Sequence, residues 1–92
     1  MKDLSVVVYT MKGCPFCTDF KEMLVKENIE FFDRDIEEYE EEYNLFVKVT
    51  ENEFVPAIMI IEEGTTDAKF YAPDRDFQEL EEAITLIREQ IA

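Results

Sequence analysis

Histidine and tryptophan are absent from this chain of 92 residues, cysteine and glycine occur twice each, and proline three times. With no imidazole and only two thiols, a structural zinc site would have to complete its four-ligand shell with carboxylates, so no metal site is expected. Basic residues are scarce as well: 9 stand against 23 acids, a net charge of −14 with a pI near 4.1. Such a field repels phosphate backbones and anionic lipid surfaces, which excludes nucleic acid and membrane as partners. No apolar run is long enough for a signal-peptide core or a membrane span, and Met1-Lys2-Asp3 sets an acid beside its base. The expected compartment is therefore the cytoplasm, where thiols are kept reduced and a lone cysteine pair is suited to cycling rather than to stapling the fold. The scarcity of glycine, with 47% hydrophobic and 13% aromatic residues, argues for a packed protein despite 35% charged residues. At this length folding buries roughly two-thirds of the unfolded surface, enough for one compact domain over residues 1–92, expected as a monomer.

What is present begins with Leu4-Ser5-Val6-Val7-Val8-Tyr9, a β-branched, nearly continuous apolar run that reads as a strand buried on both faces. After a loop at Thr10–Gly13, Pro15 stands at the first position of a helix, leaving Cys14 as its N-cap. Phe16, Phe20, Met23 and Leu24 recur at helical spacing, and Asn28 ends the helix. Ile29–Asp33 alternates as a second strand. Residues 36–49 carry Tyr39, Tyr43, Phe46 and Val47 at helical intervals, with the acidic run Glu37–Glu42 as a solvated face. Pro56–Ile61 reads as a buried strand opened by a proline, residues 62–67 as a turn, and Ala68–Tyr71 as a fourth strand closing a hairpin. Asp76-Phe77-Gln78-Glu79 has the form of a capping box before Leu80, Ile84, Ile87 and Ile91. The order β-α-β-α-β-β-α implies an α/β fold, with a four-stranded mixed sheet flanked by three helices. Its first two strands are parallel and its last two antiparallel.

The only two cysteines lie in Cys14-Pro15-Phe16-Cys17 at the junction of the first strand and the first helix. This is the sequence form of a dithiol redox centre. A thiol at the first turn of a helix lies beside unpaired backbone N–H groups and the positive end of the helix dipole, so its thiolate is favoured. Cys14 is accordingly the candidate nucleophile. A spacing of three along a helix brings Cys17 to the same face, where it can close a short ring onto Cys14, and it is the candidate resolver. Two inert thiols packed as small hydrophobes would not need Pro15 to fix them at a solvent-facing helix start. Lys12 and Lys21 are the evident cationic support for the thiolate.

With Tyr9-Thr10 leading into that motif, Lys21 one turn on, and Phe54-Val55-Pro56 before a buried strand, the chain resembles the dithiol glutaredoxins over nearly its whole length. The resemblance implies a thioredoxin-like fold, a cis bond before Pro56, and a Val55 backbone facing the active-site sulfur to pair with an extended thiol substrate. It also implies glutathione as reductant, with disulfide-bearing proteins and glutathione mixed disulfides as substrates, no bound cofactor, and Arg75 and Asp76 in the glutathione site. The sequence departs from the family at three places. Met11 stands where a basic residue is usual, with Lys12 next to it; Phe16 replaces the motif tyrosine; and Ala72-Pro73 replaces a glycine pair whose N–H groups grip glutathione. Two alternatives follow. One is a redoxin coupled to a thioredoxin reductase and donating electrons to a protein such as ribonucleotide reductase. The other is a non-catalytic carrier of a glutathione-ligated [2Fe–2S] cluster, against which Pro15 and Cys17 count. Thioredoxin proper is disfavoured by the absence of tryptophan and by a proline directly after the first cysteine.

Overall fold

Val6, Val7, Val8 and Tyr9 are all buried, as a run apolar on both sides requires, and they form the middle of strand β1 (Leu4–Thr10). The computed structural model describes residues 4–62, 64 and 68–91. Within them β1 is followed by α1 (Pro15–Lys26), β2 (Phe32–Asp35), α2 (Glu40–Thr50), β3 (Ala57–Glu62), β4 (Ala68–Tyr71) and α3 (Leu80–Ile91). The sheet order is β2-β1-β3-β4, with β1 parallel to β2 and antiparallel to β3, and β3 antiparallel to β4. The expected turn at 62–67 lies largely outside the described residues, as does Met1-Lys2-Asp3.

Alternation along the strands divides the interior into two packed clusters. Val6 and Val8 join Ile58 and Ile60 on one face, where Phe20 and Leu24 of α1 and Ala83, Ile84 and Ile87 of α3 cover them. Val7, Tyr9 and Ala57 point to the other face and meet Tyr43 and Phe46 of α2. Full burial of a side chain such as Phe20 is worth about 1.5–3 kcal/mol, so these contacts and not helix propensity hold α1 to the sheet.

Three boundaries differ from the sequence reading. The strand expected at 29–33 is formed by Phe32–Asp35, because Ile29 serves the end of α1. Asn28 takes a left-handed conformation (φ 58°) and donates to the carbonyl of Val25 at 3.1 Å, while the Ile29 N–H reaches that of Leu24 at 2.9 Å. This paired closure seats Ile29 in the core. The helix expected from residue 36 starts at Glu40. Asp35 holds the intervening turn, its side chain accepting from the Glu37 N–H and its carbonyl from those of Glu38 and Tyr39. The capping box placed at Asp76–Glu79 is also displaced: α3 begins at Leu80, and Glu82 accepts the Glu79 N–H at 3.2 Å. Asp76 is engaged instead by the Ala72 N–H at 2.8 Å.

Candidate active site

The dithiol stands where β1 hands the chain to α1. Gly13 takes a positive φ (78°), a conformation costly for a residue with a Cβ, and the chain turns there into the helix. Cys14 is the N-cap with extended backbone, Pro15 occupies the first turn, and Cys14 Sγ accepts the Cys17 N–H at 3.2 Å. The sulfur thus replaces the oxygen of an ordinary cap and faces the donor end of α1. Both thiols are free, with Cys14 9% exposed and Cys17 1%. Burial first, and then the hydrogen bond with Cys14, pushes the Cys17 thiol up to about 12, against smaller opposing pulls from the Met11 backbone and Lys21.

Two hollows flank the motif. The first, about 220 Å³, is lined by Met11, Lys12, Lys21, Asp33 and their neighbours. Lys21 is tied within it: its Nζ donates to Asp33 Oδ2 at 3.0 Å, and the Thr10 hydroxyl donates to Asp33 Oδ1 at 2.6 Å. Burial works to raise the Asp33 carboxyl, but these two donors outweigh it and hold the group below its usual range. Lys12 is exposed. Asp33 and Thr10 have no local pattern that marks them, since only the parallel pairing of β1 with β2 brings them to Lys21.

The second hollow, about 350 Å³, joins Phe16 to Phe54, Val55, Pro56 and Pro73. The Val55–Pro56 bond is cis. Tyr9 pairs with Ala57, which sets the turn before β3 at the same end of the sheet as the loop before α1. Asn52, another residue with no sequence signal, ties this wall to the next loop: its Oδ1 accepts the Phe54 N–H at 2.9 Å and its Nδ2 donates to the Pro73 carbonyl at 2.6 Å. A larger hollow of about 1040 Å³ lies at the opposite end of β1, around Leu4, Val25 and Ile29, and contains no thiol.

The loop at 72–76 satisfies itself. The Ala72 N–H goes to Asp76 Oδ2, that of Asp74 to the Phe77 carbonyl at 2.8 Å, and those of Arg75 and Asp76 to the Ala72 carbonyl at 3.3 and 2.9 Å. Pro73 has no N–H to give. The left-handed residue here is Asp74 (φ 65°), not either member of the Ala72-Pro73 pair. Arg75 Nη1 bonds Asp76 Oδ2 at 3.0 Å and the Phe70 carbonyl at 3.4 Å. The structure therefore joins Cys14, Pro15 and Cys17 at the start of α1 and sets Phe16 with Val55 and Pro56 in the second hollow. It sets Lys12 and Lys21 on a separate side, and turns Arg75 and Asp76 toward each other. Among the described residues no group of three or more Cys, Asp or Glu side chains is placed to hold a metal ion, and no helix is long and apolar enough to cross a membrane.

The glutaredoxin family model matches residues 6–64. Solved structures share the fold at low identity. The thioredoxin-like protein BC3987 is 21% identical over 89% of this chain and 99% of its own, with a TM-score of 0.63. Trichomonas vaginalis thioredoxin is 12% identical over 97% of this chain and 79% of its own, at 0.57. The J-Trx1 fragment of ERdj5 is 17% identical over 97% of this chain and 43% of its own, at 0.58. No curated protein matches the chain significantly.

Proposed function

The chain belongs to the glutaredoxin family, has the thioredoxin-like fold and a thiol redox function, and from that premise we propose that it reduces protein disulfides and glutathione mixed disulfides through Cys14 and Cys17. The observation that carries the reading is the hydrogen bond from the Cys17 N–H to Cys14 Sγ at the start of α1. It orders the two sulfurs, with the more open one capping the helix and the more buried one a turn inside. Cys14, as thiolate, attacks one sulfur of the disulfide; that S–S bond breaks, and the leaving sulfur takes a proton as thiol. Cys17 then gives up its proton and attacks Cys14 Sγ, which releases the second thiol and leaves an internal disulfide. Substrate gains two electrons and two protons. Two glutathione thiols regenerate the dithiol and leave as glutathione disulfide.

A second reading of the reductant is favoured by the loop at 72–76. With its N–H groups bonded within the loop, it offers a γ-glutamyl carboxylate little to bind, as a redoxin reduced by a thioredoxin reductase would allow. One comparison tests both: reduction of the oxidised protein by glutathione against reduction by NADPH with a thioredoxin reductase. Cys14→Ser should abolish turnover with either. Cys17→Ser should accumulate a mixed disulfide with protein substrates. A protein that is brown after anaerobic purification and inactive toward disulfides would instead support the cluster-carrier reading.

A further inference from the structure

The hollow beside Phe16 carries a charge pattern opposed to an anionic ligand such as glutathione. Phe16 and Phe54 flank it and are 66% and 59% exposed, while Pro56 and Phe77 beneath them are buried. Two large aromatic surfaces open to water on either side of one groove mark a contact site. The charged groups on its rim, beside the neutral Gln78, are all acidic: Asp19 comes from α1, Asp74 from the loop after β4, Glu79 from the residue before α3 and Glu81 from its first turn. No lysine or arginine lines it. Nor are these four carboxylates neutralised by neighbours, since the ion pairs among the described residues are Lys21–Asp33, Arg34–Glu42, Arg75–Asp76 and Arg88–Glu27. The backbone donors that would welcome an anion are occupied within the 72–76 loop. Apolar walls under an acidic rim fit an apolar side chain flanked by cations, and repel an anion.

We infer that this groove takes an extended segment of a disulfide-bearing protein in which an apolar side chain beside the reactive cysteine is flanked by Lys or Arg. The inference rests on the dithiol reading and adds the substrate class. The apolar side chain sits between Phe16 and Phe54, and the flanking cations meet the rim carboxylates. Selection then comes from the groove and not from recognition of glutathione.

The test uses the full-length reduced protein in single turnovers against three probes. Two are disulfide-bonded peptides with Phe beside the cysteine, differing only in whether Lys or Glu flanks it; the third is neutral hydroxyethyl disulfide. The Lys peptide should react on the order of tenfold faster than the Glu peptide, and the ratio should shrink toward one near 1 M salt, where screening acts over about 3 Å. In a variant combining Asp19→Asn, Asp74→Asn, Glu79→Gln and Glu81→Gln the ratio should drop to about twofold or less. It is taken within each protein, so a general change in thiol reactivity cancels. All four positions are exposed; if the combined variant does not fold, Asp19→Asn and Glu81→Gln made singly should each lower the ratio. Replacing the peptide's Phe by Ser should slow the Lys peptide several-fold. Equal rates for Lys and Glu peptides, a ratio unchanged in the variants, or indifference to Phe would overturn the inference while the dithiol reading stood. Failure to reduce even the neutral disulfide would overturn both.

Discussion

The Cys17 N–H donates to Cys14 Sγ and fixes the cap, while burial first, and then the hydrogen bond with Cys14, displaces the Cys17 thiol from its ordinary 9.0 to about 12. Alkylation of the reduced protein at mildly acidic pH should therefore modify Cys14 before Cys17, and a mass spectrum locating the first label on Cys17 would reverse the assigned roles. Stability carries the same signature. Cys17 holds its proton more tightly folded than unfolded, so its contribution is complete below about pH 9 and declines as pH rises toward about 12. Thermal unfolding of the reduced protein should show Tm falling from about pH 8 to about pH 10, and Cys17→Ala should flatten that fall. Tyr9, raised above its ordinary value chiefly by burial and then by the Glu42 bond, acts in the same direction and remains in both proteins, so their difference isolates the thiol.

The ends of the elements show how far local pattern carries. Asn28 was legible as the stop of α1, and it is the left-handed residue there. Asn28→Gly should be neutral or slightly stabilising, whereas Asn28→Val should cost about 1–2 kcal/mol in urea unfolding, because a β-branched residue resists positive φ. The apolarity of Ile29 reads as strand but serves a cap, and β2, three of whose four residues are charged, shows its place only through pairing with β1. Asp76 has the pattern of a cap, but the Ala72 N–H, four residues upstream, claims its carboxylate. Between sheet and helix, Tyr9 donates to Glu42 and Arg34 pairs with the same carboxylate, its guanidinium 5.1 Å from the ring of Tyr39. Glu42→Ala leaves both without that partner and should cost about 1–3 kcal/mol. Combined with Tyr9→Phe, the loss should be smaller than the sum of the two, measurable in a double-mutant cycle.

For the whole molecule, charge is the term that acts at distance. Glutathione is anionic at neutral pH, and a chain of −14 opposes its approach until salt screens the field, over about 30 Å at 0.01 M and about 8 Å at 0.15 M. Stopped-flow reduction of the oxidised protein by glutathione should accelerate across that range. A rate that fell instead would mean that Lys12 and Lys21 govern the path. The sequence displayed the dithiol because its chemistry is local, four residues at one helix start. The acidic rim of the groove and the Thr10–Asp33–Lys21 chain were hidden because each is assembled across elements, the rim from α1, the loop after β4 and α3, the chain by strand register, and no spacing encodes that. The sheet, finally, keeps the acidic helix α2 and its aromatic cluster on one side and the cluster under α1 on the other. Electrostatics and reactivity are thereby decoupled as engineering variables. The exposed acids Glu37, Glu38, Glu40 and Glu41 can be recoded to neutral or basic residues, tuning which partners drift toward the protein without repacking the layer that holds its sulfurs.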